Sequence, residues 1–216
     1  AGRRLIDHVL DDLAVGWRQL GRTVVVAPSA LDVPDWALQT LEDPPGGGPV
    51  AGIFAGLAAL QSADDGRVLV LTCDAPKAAR LAPLLVAAAQ ANPDADGVLA
   101  FADGRAQYLL AAYRVGALRT GLRLIRPSGD AHGASMHRLV AALGTIELAV
   151  PAGLATDLDD QVAVARWLEQ TTGVSIKTLV KTLRRYRTID IQAGDTIVTA
   201  EDPLPDNAQD WLDAIN

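Results

Sequence analysis

The segment from Glu42 to Gly52 has the composition of a loop that binds a phosphate group or a purine. Three consecutive glycines, Gly46 to Gly48, precede Pro49 and an apolar run. Glycines let a backbone approach a ligand closely, and proline favours the first turn of a helix. The N–H groups of that turn and the helix dipole suit a phosphate or a purine edge. A turn that simply starts a helix accounts for the same residues, and Gly52 fits close packing of a helix on a sheet equally well.

A second candidate is Asp74, which follows the apolar run Arg67 to Cys73. Ligands of open α/β sheets bind beyond the carboxyl ends of the strands. A carboxylate at that position can hold Mg²⁺ against a triphosphate. The same residue also stands where a helix N-cap belongs, because Pro76 follows it. The spacing alone favours neither interpretation.

Asp157 belongs to the third polar segment, Thr156 to Asp160. A carboxylate there would complete a metal site with Asp74. Acidic residues in the first turn of a helix over 159–170 explain the segment at least as well.

Other chemistries are excluded or weak. The segment Gly133-Ala-Ser-Met-His137 lacks the second glycine of a nucleophile elbow. His132 and His137 are not at metal-ligand spacing on a helix, and no Gly-x-Gly-x-x-Gly or Walker A sequence occurs. The basic residues at 177–185 are most simply a solvated helix face.

The composition limits the class of protein. The chain has 216 residues and a net charge of −7, which argues against non-specific nucleic-acid binding but not against anionic small ligands. Cys73 is the only cysteine, so intramolecular disulfides and zinc sites built on several thiolates are excluded and a reducing cytoplasm is favoured. The longest apolar run, Leu81 to Ala89, is too short to span a bilayer, so no membrane association is expected.

Strand and helix patterns alternate through most of the chain. This alternation predicts a doubly wound α/β domain over residues 1–170, with a mostly parallel sheet and helices on both faces. For residues 171–216 we predict a small C-terminal appendage with a helical stripe at 176–185, a hairpin over 188–199 and a short helix at 210–215. Within the main domain we predict helices at 3–14, 50–61, 74–91, 114–122, 134–143 and 159–170, and strands at 22–28, 37–41, 67–73, 98–101, 106–113 and 145–150.

Four segments, taken in order, resemble the molybdenum cofactor guanylyltransferases, which belong to the GT-A-like nucleotidyltransferase superfamily. Pro45 to Leu57 resembles the family's GPLAGI-type segment, and Val68 to Pro76 resembles its strand ending in C-D-x-P. Gln107 to Arg114 is similar to its Q-P-L-x-x-x-Y-R stretch. Asp157-Leu-Asp159 matches the start of its D-I-D-T-P-E-D-L pattern.

The resemblance implies an enzyme that uses GTP and Mg²⁺ to convert a phosphorylated pterin acceptor to its guanine dinucleotide with release of pyrophosphate. By position, Asp74 would be the catalytic metal ligand, with Asp157 as a second candidate ligand. Asp43 would contact guanine, and the residues lining the nucleotide pocket would be Gly48, Val50, Ala51 and Gly52. No side-chain nucleophile is required, which agrees with finding none.

The chain departs from the family pattern in three places. The family's glycine-rich phosphate loop does not occur here, and Gly2 to Leu10 matches what normally follows that loop; we expect the loop upstream. Pro28-Ser29 stands where a family asparagine often reads guanine. Asp160 to Ala163 replaces T-P-E-D.

Two alternatives follow from these departures. One is a sibling enzyme that transfers CMP or uses another phosphorylated acceptor. The other is a non-catalytic relative that has lost the phosphate loop and binds a protein partner through residues 171–216.

Overall fold

The computed structural model describes residues 4–16, 21–155, 190–192 and 195–199. These residues fall into two compact units: one comprises residues 12–16, 21–72 and 78–155, and the other includes residues 4–11, 73–77 and the C-terminal hairpin. No helix among the described residues is both long and apolar enough to cross a membrane. The helices are α1 (Leu5–Gly16), α2 (Gly48–Leu60), α3 (Ala82–Ala91), α4 (Val115–Ile125) and α5 (Met136–Ala141); the strands are β1 (Thr23–Val26), β2 (Ala37–Thr40), β3 (Arg67–Val70), β4 (Gly97–Ala102), β5 (Arg105–Arg114), β6 (Thr145–Ala149), β7 (Asp190–Gln192) and β8 (Asp195–Thr199).

Strands β1 and β2 form a parallel pair in which Thr23 is opposite Ala37 and Val26 is opposite Thr40. Helix α2 packs on this pair through its glycines. A Cβ on Gly56 would lie 3.3 Å from Cγ1 of Val24, and one on Gly52 would lie 3.7 Å from Cγ1 of Val26. The glycines therefore let the helix approach the sheet closely.

The second sheet has the order β3-β5-β4-β6. Strand β5 is antiparallel to both β3 and β4, whereas β4 and β6 are parallel. Strands β4 and β5 form the hairpin that the sequence predicts. Its turn residues, Asp103 (φ 52°) and Gly104 (φ 75°), adopt the left-handed conformation of a tight hairpin turn. The expected α/β class is confirmed, because the larger unit combines helices, the parallel pairs β1–β2 and β4–β6, and the antiparallel strand β5.

The core of the larger unit is an apolar cluster between the second sheet and helices α2, α4 and α5. Its fully buried members include Val50, Leu118 and Leu139. Tyr113 is also fully buried, and its hydroxyl donates a hydrogen bond to the carbonyl of Tyr108 (2.7 Å). Burial raises the pKa of the Tyr113 hydroxyl far above its ordinary value of 10.0.

A cross-strand pair explains how the Tyr113 ring is accommodated. Gly97 of β4 lies directly opposite Tyr113 of β5, and a Cβ on Gly97 would lie 2.7 Å from the ring. Beyond Leu99 the register shifts, so that Leu99 faces Ala111 but Ala100 faces Gln107. The extra residues of β5 include Tyr108, whose carbonyl accepts the tyrosine hydroxyl.

Two predicted elements differ from the structure. The helix predicted over 74–91 begins only at Ala82, after a 3₁₀ turn at Ala78–Leu81. Pro83 lies in the first turn of α3. A continuous α-helix from residue 74 would place its ring against the carbonyl four residues earlier, which explains the later start. The strand predicted over 67–73 ends at Val70 and is half-buried rather than buried.

The remaining predicted elements fall in two groups. The helices expected at 50–61, 114–122 and 134–143 are confirmed, as are the strands at 22–28, 37–41 and 145–150. The hairpin at 188–199 is confirmed by the antiparallel pair β7–β8. The helices expected at 159–170, 176–185 and 210–215 lie outside the described residues. The predicted domain boundary at residue 170 stays a prediction.

Candidate functional site: the glycine-rich turn before α2

The turn between β2 and α2 is shaped by glycines and braced by a carboxylate. Gly46 (φ 79°) and Gly48 (φ 83°) are both left-handed, which side chains rarely tolerate. Oε1 of Glu42 accepts a hydrogen bond from the N–H of Gly46 (3.1 Å). Gly47 is the N-cap of α2, and no side chain caps this helix. The exposed Gly48 can therefore offer its backbone N–H and the positive end of the helix dipole to a ligand, whereas Pro49 has no N–H and Val50 is buried.

A second loop lies at the same edge of the sheet, because β1 and β2 are parallel and end together. The N–H of Ala27 donates to the carbonyl of Thr40 (2.8 Å), which continues the pairing past the end of β1. The side-chain amide of Gln39 donates to the carbonyls of Pro28 (2.7 Å) and Leu31 (3.0 Å). This brace holds the loop that contains the exposed Ser29 beside the glycine-rich turn.

The predicted nucleotide-binding residues occupy three environments. Asp43 and Gly48 are exposed on the turn, whereas Val50 and Ala51 are buried. Gly52 is half-buried against Val26 of β1. Gly48 and Gly52 can thus offer a ligand their backbone, and Asp43 can also offer its side chain, whereas Val50 and Ala51 are covered by the surrounding residues.

The loop between α4 and α5 touches the glycine-rich turn, which the sequence did not indicate. The N–H of Gly133 donates to the carbonyl of Gly47 (2.8 Å). A Cβ on Gly47 would lie 2.9 Å from Nδ1 of His132 and 2.6 Å from Cβ of Ala51. Gly47 has an ordinary φ of −71°, so glycine is needed here for space rather than for backbone conformation. Because residues 47 and 133 are far apart in sequence, no local pattern could have predicted the contact.

Asp74 lies in the other compact unit, in the short segment 73–77. Its side chain is half-buried, and Ala75 and Pro76 after it are buried. The N-cap explanation for Asp74 is wrong, because no helix begins there and α3 is preceded by Leu81 instead. Asp157 and Asp159 lie outside the described residues.

Whether a metal ion can bind near Asp74 depends on the chemistry of its carboxylate. Within the described residues no group of three or more His, Cys, Asp or Glu side chains could hold a metal ion. Mg²⁺ commonly uses only one or two protein carboxylates, and water and substrate phosphates complete its coordination. A partly accessible Asp74 fits that arrangement, and an ion held entirely by protein side chains does not.

Several solved structures share the fold of this chain, including the following two. One is molybdopterin-guanine dinucleotide biosynthesis protein A from Archaeoglobus fulgidus, with 18% sequence identity and a TM-score of 0.57 over 80% of this chain and 87% of that one. The other is 2-C-methyl-D-erythritol 4-phosphate cytidylyltransferase from Thermus thermophilus, with 17% identity and a TM-score of 0.55 over 81% of this chain and 91% of that one. At these identities the likeness concerns the fold alone.

The sequence gives the narrower assignment. The model of the MobA-like NTP transferase domain matches residues 1–145. This is well over half of the chain, and the chain therefore belongs to the MobA-like NTP transferase family. The expected resemblance is confirmed at this level, and so is the general class of nucleotidyltransferase. Among curated proteins, no sequence matches the chain.

Proposed function

We propose that this protein transfers GMP from GTP to a molybdopterin-type phosphorylated pterin, with release of pyrophosphate. The observation that carries the proposal is the uncapped start of α2, reached through a turn with two left-handed glycines at the carboxyl edge of β1 and β2. The family membership and the order of the four sequence segments support the same reaction. We place the reaction in the cytoplasm.

In the proposed reaction, different residues bind the guanine base, line the nucleotide pocket and hold the metal ion. The exposed carboxylate of Asp43 would accept hydrogen bonds from guanine, and the segment from Gly48 to Gly52 would line the nucleotide pocket through its accessible glycines. Asp74 would hold Mg²⁺, which when bound neutralises charge on the triphosphate. A phosphate oxygen of the acceptor attacks the α-phosphorus, and the bond to the β-phosphate oxygen breaks as pyrophosphate leaves. Positioning and charge stabilisation suffice for this transfer, so no protein nucleophile is needed.

A second candidate is transfer of CMP. One solved structure with this fold is a cytidylyltransferase, and Pro28-Ser29 replaces the asparagine associated with reading guanine. The acceptor would then still be a phosphorylated small molecule. A protein partner that binds residues 171–216 is compatible with either reaction.

Equilibrium binding of GTP and CTP to the full-length protein, with and without Mg²⁺, distinguishes the two. We expect a preference for GTP, and we expect Asp43→Ala to weaken GTP binding by about tenfold, the loss of one good hydrogen-bonding group. CTP binding should change little. Asp35→Ala, an exposed carboxylate between β1 and β2, is the matched control. A preference for CTP, or GTP binding that is indifferent to Asp43→Ala, contradicts the guanylyl assignment.

A further inference from the structure

The loop that joins α4 to α5 is anchored so that His132 is held beside the glycine-rich turn. Oδ1 of Asp130 accepts the backbone N–H of His132 (2.9 Å), and the next residue, Gly133, donates to Gly47 (2.8 Å). Ala131 packs against the apolar core, and Ala134 is part of it. The backbone of His132 is therefore fixed from both sides.

The imidazole of His132 is exposed although its backbone is fixed. Nδ1 is the ring nitrogen nearest Gly47, since it would lie 2.9 Å from a Cβ on that residue, and Nε2 lies farther away. An exposed ring gains little from packing, so packing does not explain why the loop holds it there. The position next to the uncapped start of α2 does offer an explanation.

The surroundings of this loop favour a negatively charged ligand. Nη2 of Arg126 would lie 3.7 Å from a Cβ on Gly133, so a guanidinium group lies against the same loop. Arg119 is paired with Asp64, so the guanidinium group at this loop is that of Arg126. A positive charge at this position attracts anions such as nucleotide phosphates, even on a protein with a net charge of −7.

We propose that His132 is a nucleotide-binding residue whose Nε2 donates a hydrogen bond to a phosphate oxygen of the nucleotide held at the glycine-rich turn. The inference rests on the proposed function, because it takes the turn as the nucleotide site. It adds a side chain from a distant part of the sequence that neither the motifs nor the family resemblance assigns. In this arrangement the α4–α5 loop forms one wall of the site.

Two conservative substitutions test which ring nitrogen matters. The amide of Gln reaches approximately the position of Nε2, whereas the amide of Asn reaches that of Nδ1. Equilibrium binding of GTP to the full-length protein should weaken by about tenfold in His132→Ala and His132→Asn, and by less than about threefold in His132→Gln. His137→Ala is the matched control. This second exposed histidine of the segment packs edge-on against Tyr108, with ring centroids 6.2 Å apart, and its substitution should leave GTP binding unchanged.

Each outcome decides the question. If Asn rescues binding and Gln does not, His132 acts on the turn through Nδ1 and is only a positioning residue, which overturns the proposal. Unchanged GTP binding in His132→Ala also overturns it and leaves the proposed function intact. If the wild-type protein binds no GTP, the proposed function itself fails, and the inference fails with it. Melting temperatures of all variants exclude unfolding as the cause.

Discussion

Five of the six residues of β4 are buried, whereas β1 has one buried residue among four and β2 has none. The β4–β5 hairpin is thus held by side-chain packing, and even its buried hydroxyl has a partner. The edge of the β1–β2 pair is held instead by hydrogen bonds between side chains and the backbone. The side chain of Gln39 donates to two carbonyls, and the side chain of Glu42 accepts a backbone N–H. The contrast indicates that the hairpin region provides stability, while the β1–β2 edge leaves its backbone accessible to a ligand.

The largest effect we expect is on activity, from Asp74→Asn. Removing the negative charge should lower nucleotidyl transfer by about a hundredfold or more, because charge stabilisation at a transferring phosphoryl group contributes several kcal/mol. The melting temperature should change little, since the substitution keeps the shape of the side chain. Pyrophosphate release, followed at several Mg²⁺ concentrations, measures the effect.

The control for Asp74→Asn is Asp103→Asn, an exposed carboxylate in the hairpin turn, where asparagine is also favoured. Wild-type turnover with unchanged Mg²⁺ dependence in Asp74→Asn would remove this residue from the site.

The next effect is on stability and lies in the hairpin region. Gly97→Ala places a methyl group 2.7 Å from the Tyr113 ring and 3.2 Å from Thr145, so we expect a loss of about 1–3 kcal/mol in the free energy of unfolding. Urea denaturation measures it. Gly153→Ala is the matched control, because nothing lies within 4 Å of its Cβ position. Equal stability of the two variants would contradict the packing explanation. GTP affinity of the folded protein should be unchanged in both.

A smaller effect, with a defined pH dependence, is expected for Tyr113→Phe. The variant leaves the carbonyl of Tyr108 without its donor and should lose about 1 kcal/mol of stability at neutral pH. Because burial raises the pKa of Tyr113 above 10.0, the folded protein keeps this proton when the unfolded chain releases it. The stabilisation is complete below pH 10 and is lost as the pH rises beyond it.

Unfolding free energies of wild type and Tyr113→Phe, measured between pH 8 and pH 11, isolate this one proton. The wild-type stability should fall more steeply above about pH 10, by up to about 1.4 kcal/mol per pH unit. Parallel curves for the two proteins would count against a buried, protonated Tyr113.

The smallest effect on stability is expected for an ion pair that lies outside both the hairpin and the β1–β2 edge. Nε of Arg80 lies 2.7 Å from a carboxylate oxygen of Asp12, and this hydrogen bond, together with the charge, raises the pKa of Arg80. More than half of the arginine side chain is exposed (57%), so Arg80→Gln should cost only about 0.2–1 kcal/mol. A larger loss in thermal denaturation would mean that the pair is more than a surface contact.

The hairpin could be predicted from sequence because its determinants are local. Asp103-Gly104 specifies the turn, and apolar runs flank it. The start of α3 could not be placed in this way, since Pro76 and Pro83 both suit a helix start and the structure uses only the second. The burial of β3 was also overestimated. Its apolar composition predicts a central strand, but among the described residues it is hydrogen-bonded on one edge, to β5.

The candidate site was only partly predictable for the same reason. The glycine-rich turn is visible in the sequence, because consecutive glycines directly before Pro49 mark a tight turn that leads into a helix. The proximity of His132 to Gly47 is a tertiary contact between distant segments, and no local sequence pattern indicates it. In the sequence, His132 is marked only by its separation from His137, which does not suit a metal site on a helix.

The hydrogen bond from Gly133 to the carbonyl of Gly47 limits where the loop between α4 and α5 can accept insertions and deletions. Exposed surface loops ordinarily accept insertions and deletions with little cost. Here the register of residues 130–134 is set by Gly47 at one point and by core residues on either side of it. An added or deleted residue between Asp130 and Ala134 would move the N–H of Gly133 away from the carbonyl of Gly47. Insertions and deletions should therefore be tolerated only in the part of the loop before Asp130.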